Sequence, residues 1–238
     1  SATQTPTIQY APKTGDSYVR EILTPLNGDL LALLAGMGWP LEYVFKLCVT
    51  EVNEILNAPQ TQLYSYKEPT FEEFDKLVSD MAYLEHKVYL GFSAIQKKSV
   101  PTLRFRPGVL DTPQGKKVAA ALGLPSGKNQ FMISANDWVE DKNVLNVRTR
   151  SLMGILQLLS NSVNVPKVHK EKGWVNITRG ADGKPFDWNR ITKGILDVRV
   201  HKEEPSDADI VIQYRGHWFS IARNDLSSKR TLTMVVNL

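Results

Sequence analysis

At Val88 the hydrophobic period of this chain changes, and that change limits which folds are open to it. Before it, apolar residues recur at three- and four-residue spacing, as on a helix with one buried face. After it they alternate every second residue, as on strands. A helical stretch followed by a strand-rich one, without regular alternation of the two, reads as α+β. The expected architecture is a helical part, 16–87, packed on a mixed or mainly antiparallel sheet with further helices, 88–238. Residues 1–15, polar and rich in Thr and Pro, are expected to be a flexible segment ahead of it. No Gly-, Pro- or Ser-rich linker separates the two parts around His86, so a single domain is expected.

Asp16 or Ser17 caps a helix that carries Val19, Ile22 and Leu23 and is interrupted by Pro25. A second short helix, Asp29 to Ala35, ends at glycines. Pro40, at a first helical position, opens the strongest helical pattern in the chain, with Leu41, Val44, Phe45, Cys48, Val52, Ile55 and Leu56 at helical spacing. Thr70 and Glu73 form a capping box for a helix whose Phe71, Phe74, Leu77, Val78, Met81 and Leu84 share a face. Beyond Val88, the segments VYLGFSAI, TLRFRP and QFMISAN read as strands, with Leu90, Phe92 and Ala94 toward the core. Between them GKKVAAALGL reads as a helix ended by Gly123. Thr149 or Ser151 starts a helix through SLMGILQLLSNSV, stopped by Pro166. The segments WVNIT, ILDVRVHKE, ADIVIQY and HWFSIA predict an antiparallel sheet, and Asp225 caps a last helix.

Composition narrows the function classes only a little. With 238 residues, 42% of them hydrophobic, the chain can bury a sizeable core, and no apolar run approaches the roughly 18 to 20 residues that span a bilayer. Its one cysteine, Cys48, excludes an intramolecular disulfide and a multi-thiolate metal site, and its apolar neighbours mark it as a small buried hydrophobe. A lone thiol fits the cytoplasm and equally a disulfide-free envelope protein. The start without Met reads as following a removed signal sequence or tag. Residues 1–93 hold 6 Lys/Arg against 12 Asp/Glu, and residues 94–238 hold 23 against 13. Such a split fits an anionic partner for the basic part, or two parts that attract each other.

No motif assigns a reaction. The GLPSGKN segment lacks one residue between its glycines and the hydroxyl of a phosphate loop, and it precedes a strand rather than a helix, so it reads as a turn. His86, His169, His201 and His217 show no metal-ligand spacing, with His169 the most loop-like and expected at the surface among lysines. The segment GFSA lacks the second glycine of a nucleophile elbow. No metal or cofactor is expected. Arg104 with Arg106, Arg148 with Arg150, Lys97 with Lys98 and Lys116 with Lys117 form basic groupings, the first on a shared strand face and the second on another if that segment is extended. They carry no signature of a DNA or RNA module, so nucleic acid is not the expected partner.

The C-terminal hairpin IVIQYRGHWFSIA is the better candidate. Gly216 permits a tight turn, and Tyr214, Arg215, His217 and Trp218 crowd around it, beyond what a turn alone requires. Tyr, Trp and Arg are the side chains that most often anchor binding sites. These four, with Arg150 and Trp188, are the expected binding residues; the expected partner is a protein or a small anionic ligand. The competing expectation buries Tyr214 and Trp218 in the core with their polar tips satisfied.

The segments GDSYVREILTP and GMGWP, RSLMGIL at 150–156, GKPFDW at 183–188, and YRGHWFSI followed by Asp225 and Ser228-Lys229 together resemble a family of proteobacterial envelope proteins with no assigned activity, often predicted to be lipoproteins. The resemblance covers most of the chain, and the YRG-x-WF-x-I element is its most specific part. The family's Tyr-Ile-Asp-Asp-like continuation is replaced here by Ser220-Ile221-Ala222-Arg223, so no acidic site is carried over. The resemblance implies an export signal and a lipidated cysteine ahead of Ser1, hence an envelope or periplasmic location and membrane contact only through that anchor. The expected function is binding within the envelope; anion or nucleic-acid binding by the basic part, and a hydrolase site assembled from distant residues, are the alternatives.

Overall fold

The computed structural model describes residues 15–58, 69–93 and 100–238, so the N-terminal segment 1–14, the continuation of a strand through Ala94 and Ile95, and Lys97 with Lys98 lie outside the described residues. The fold is α+β. Helices α1 (Asp16–Leu23), α2 (Gly28–Gly36) and α3 (Leu41–Cys48) lead into strands β1 (Val49–Val52) and β2 (Ile55–Leu56), and α4 (Glu72–His86) follows. Next come β3 (Leu90–Ser93), β4 (Thr102–Phe105), a 3-10 turn (Val109–Asp111), α5 (Pro113–Leu122), β5 (Gln130–Ala135) and β6 (Val144–Thr149). The last part comprises α6 (Leu152–Ser160), α7 (Lys167–Glu171), α8 (Asn189–Thr192), β7 (Arg199–His201), β8 (Ala208–Tyr214), β9 (His217–Ala222) and α9 (Leu226–Val236). One sheet runs β2-β1-β6-β5-β4-β3 and the other β7-β9-β8.

The part 16–87 is not wholly helical. The helical pattern opened by Pro40 continues to Leu56, yet the helix stops at Cys48 and the chain turns into a hairpin. The cause is a distant side chain. The Arg150 guanidinium donates to the carbonyls of Lys46 (3.1 Å), Leu47 (3.1 Å), Val49 (2.6 Å) and Ala58 (2.6 Å), and the Arg150 backbone N–H donates to that of Cys48 (2.7 Å). Carbonyls that a helix end leaves without partners are thereby satisfied from outside, next to a cation that suits the negative end of the helix dipole. The β-branched Val49 and Val52 are then free to bury in β1, which pairs with β6. Asn53 and Glu54 turn the hairpin with φ of 43° and 70°, the mirror-image turn that matches strand twist.

Four further expectations need correction. The capping box does not form: α4 starts at Glu72, and Phe71 is held outside the helix with its ring packed edge-on to Phe186 at 6.3 Å. The helix through 151–163 ends at Ser160 before reaching Pro166, which instead precedes α7. WVNIT forms no strand; residues 174–178 run irregularly beside a cavity, with a single bridge from Arg179 to Pro185 nearby. Nor does Asp16 or Ser17 cap the first helix: both lie within α1, whose N-cap is Gly15 with no side-chain cap bond. Other local signals match: Ser151 caps α6 by accepting from the Gly154 N–H, Gly123 ends α5, and Leu90 is buried while Tyr89 is exposed. The GLPSGKN segment is a loop between α5 and β5.

Strands β5 and β6 pair in parallel although only residues 136–143 connect them. Parallel neighbours usually need a crossover of about a dozen residues or more. Here Asn146 on β6 pins the return, accepting from the Val139 N–H at 2.8 Å and donating to its carbonyl at 3.0 Å. One apolar core extends from Leu26 through Phe74, Phe131 and Leu145 to Ile221 and Met234, and so joins the two sheets. A second, smaller cluster gathers Ala58, Phe71, Leu158, Phe186 and Ile191.

Candidate functional site

The β8–β9 hairpin reverses in two residues, with Tyr214 paired to His217 and with Arg215 and Gly216 at φ of 49° and 74°. Positive φ at both positions is the type I′ turn, for which Asn-Gly is the preferred pair. Arginine there has a Cβ that crowds the following carbonyl, at a cost of about 1–2 kcal/mol. Tyr214 and Arg215 are exposed and His217 is half-buried.

A second element closes on this turn. Helix α7 ends with Gly173 at φ of 66°; the Gly173 N–H donates to Lys170 O (3.1 Å) and the Trp174 N–H to His169 O (3.0 Å). That pair of bonds is the Schellman motif, which folds the residue after the glycine back onto the helix. Trp174 accordingly lies 5.1 Å from His169, and His169 lies edge-on to His217 at the same centroid distance. The Arg215 guanidinium sits 5.5 Å from the Trp174 ring centre and 5.4 Å from that of Tyr214, and Lys172 Nζ sits 4.7 Å from Trp174. Two cations and two imidazoles thus share one aromatic surface, and neither Arg215 nor Lys172 has an ion-pair partner among the described residues.

His169 is not the exposed loop residue expected; only 7% of it is accessible, because the rings of Trp174 and His217 cover it rather than because it lies deep. Loss of hydration holds its pKa below the ordinary imidazole value, and the neighbouring His217, Arg215 and Lys172 push the same way.

Of the six expected binding residues, three come together here: Tyr214, Arg215 and His217. Trp218 belongs to the opposite strand face, half-buried and paired with Gln213 and His201. Trp188 stands apart beside the Phe186 cluster, its indole N–H donating to Thr178 Oγ1 at 3.3 Å. Arg150 is the clearest correction, being fully buried and bonded to backbone as described above. It does not share a face with Arg148, because β6 ends at Thr149 and the alternation ends with it; Arg148 is exposed beside Glu51 at 3.5 Å. The residues that sequence reasoning missed are Lys172 and Trp174. A glycine after a short lysine-rich helix, followed at once by Trp, was the available signal.

Catalytic alternatives fare less well. His201 Nε2 lies 2.8 Å from Ser220 Oγ, a nucleophile–base distance. That contact spans the β7–β9 ladder, neither residue lines the cavity beside 174–178, and Ser220 is buried. Among the described residues no group of three His, Cys, Asp or Glu side chains is placed to hold a metal, and no helix is long and apolar enough to cross a membrane. The Cys48 thiol is pushed up to about 12 by burial and is therefore protonated and unreactive near neutral pH.

The Asp225, Ser228 and Lys229 positions that follow the YRG-x-WF-x-I element serve the fold. Asp225 accepts from the Ser228 N–H at 3.0 Å, Ser228 Oγ accepts from the Asp197 N–H at 2.9 Å, and Lys229 bridges Asp209 and the Arg223 carbonyl. They anchor α9 to the three-stranded sheet. No family model, no curated protein and no solved structure matches the chain.

Proposed function

We propose that this chain is a binding protein whose β8–β9 turn recognises an anionic group, a carboxylate or a phosphate, carried by a small ligand. The observation that carries the reading is Arg215, kept at φ of 49° where asparagine is the cheaper residue. Strain at a single exposed position, with the side chain held over two rings and left without a counter-charge, is the pattern of a site organised for a partner rather than for stability. An anion would pair with Arg215 and Lys172 and would offset the cationic neighbours that help hold the His169 pKa down, so its affinity rises as pH falls and weakens with added salt. The resemblance to envelope proteins supports a place in the cell envelope, which fractionation of cells expressing the full reading frame tests.

The decisive variant is Arg215→Asn. Inorganic phosphate and acetate, titrated separately and followed by the fluorescence of Trp174, are the probes. The variant is expected to bind about tenfold more weakly or worse, while gaining up to about 1 kcal/mol of stability from relief of the turn. Unchanged affinity in the variant, or no response of the parent protein to either anion, overturns the reading.

A further inference from the structure

A cavity of about 530 Å³ opens between the end of α6, helix α7 and the irregular segments 175–178 and 185–189. We infer that it is a binding site for a neutral saccharide. The inference is independent of the hairpin: the cavity shares no residue with the cationic cluster, and the two surfaces use different faces of α7, Lys170 lining the cavity while His169 meets the rings.

The chemistry of the lining is specific. Gln157, Asn176 and Asn189 present side-chain amides that form no hydrogen bond among the described residues, and Ser162, another lining residue, keeps its Oγ buried behind that surface without a hydrogen-bond partner among them. A buried hydroxyl without a partner is costly to keep and is an uncommon feature of a finished core. Amides offer a donor and an acceptor together, the complement of a sugar hydroxyl, which is also both. The lining charges are Lys170 and Asp187, one of each sign, so the site favours neither an anion nor a cation.

Trp188 supplies the apolar surface. Its ring is half-buried and set by two contacts, the indole N–H on Thr178 Oγ1 at 3.3 Å and an edge-on packing with Phe186 at 5.3 Å. A pre-set aromatic ring among unpaired amides suits the C–H face of a pyranose with its ring of hydroxyls. An extended peptide is the poorer fit, because strand addition needs a sheet edge and no strand of either sheet lines the cavity.

The test is a titration of the isotopically labelled chain with maltotriose, cellotriose and triacetylchitotriose, each to about 20 mM, following the indole N–H resonance of Trp188. At least one of the three is expected to shift it with a dissociation constant on the order of 1 mM or tighter. Trp188→Ala would remove the reporting resonance and, with it, the packing on Phe186. Asn176→Ala, at an exposed position, keeps the test clean and is expected to weaken binding about tenfold. Arg215→Asn is expected to leave saccharide binding unchanged, which separates failure here from failure at the hairpin. The proposal is overturned if none of the three sugars moves the Trp188 resonance, or if the response survives intact in Asn176→Ala.

Discussion

Arg150 has no carboxylate partner among the described residues, and the partial charges of four backbone carbonyls stand in for one. Burial lowers its pKa to about 10, still high enough to keep the guanidinium charged at neutral pH. Replacing it with a methionine of comparable volume removes the donors and leaves those carbonyls inside the protein without them. Each unsatisfied buried group costs about 1–3 kcal/mol, so Arg150→Met is expected to lose at least about 3 kcal/mol, measured as a lowered midpoint in urea unfolding. A loss below about 1 kcal/mol would show that water or the neighbouring Asn57, which already donates to the Lys46 and Val49 carbonyls, replaces it easily. Nothing in the residue type distinguishes this arginine from Arg148 two positions earlier. Only the end of β6 at Thr149 sends one to solvent and the other into the core.

Helix endings show the same interplay between local chemistry and context. Helices α4, α5 and α7 finish in one geometry, with the N–H of the left-handed residue bonded three residues back and the next N–H five residues back. Gly123 and Gly173 occupy that position after α5 and α7, at φ of 64° and 66°. After α4 it is Val88, at φ of 59°, with its N–H on Glu85 O (2.7 Å) and the Tyr89 N–H on Leu84 O (2.8 Å). A β-branched residue is a poor occupant there, at about 1–2 kcal/mol, and Val88 is 65% exposed, so its side chain contributes little packing in return. Glycine relieves the strain but loses up to about 1 kcal/mol through its looser unfolded state. Val88→Gly is accordingly expected to stabilise the protein by about 1 kcal/mol, raising Tm by about 2–4 °C in a calorimetric scan. A lowered Tm would mean that the valine side chain makes contacts that matter. The switch of hydrophobic period falls at this residue because the Schellman turn at Val88 is where helix α4 ends and β3 begins.

At the scale of the whole molecule, the N-terminal part is woven into the rest. Strand β1 takes its sheet partner from β6, and α3 takes its terminal donors from Arg150, so neither is complete without residues beyond 140. A fragment covering 1–87 is therefore expected to unfold without a cooperative transition and to lack native-like near-UV dichroism; a sharp two-state transition in that fragment would contradict it. The sequence by itself determined the α+β class, the end of α5 at Gly123, the start of α6, the cap of α9 and the tight turn at Gly216, because each is written in residues within a few positions of one another. It also pointed to Tyr214, Arg215 and His217 as neighbours, since a two-residue turn leaves them no alternative. The tertiary structure alone decided that α3 stops at Cys48, that β5 and β6 lie parallel, that Arg150 is interior, and that His169, Lys172 and Trp174 join the hairpin. For α3, Arg150 and the α7 residues the physical reason is shared: a hydrogen bond or ring contact from far along the chain outweighs a local preference of a few tenths of a kcal/mol per residue, and local spacing carries no record of that distant partner. The parallel return of β6 rests instead on the Asn146 amide closing its own connection on Val139.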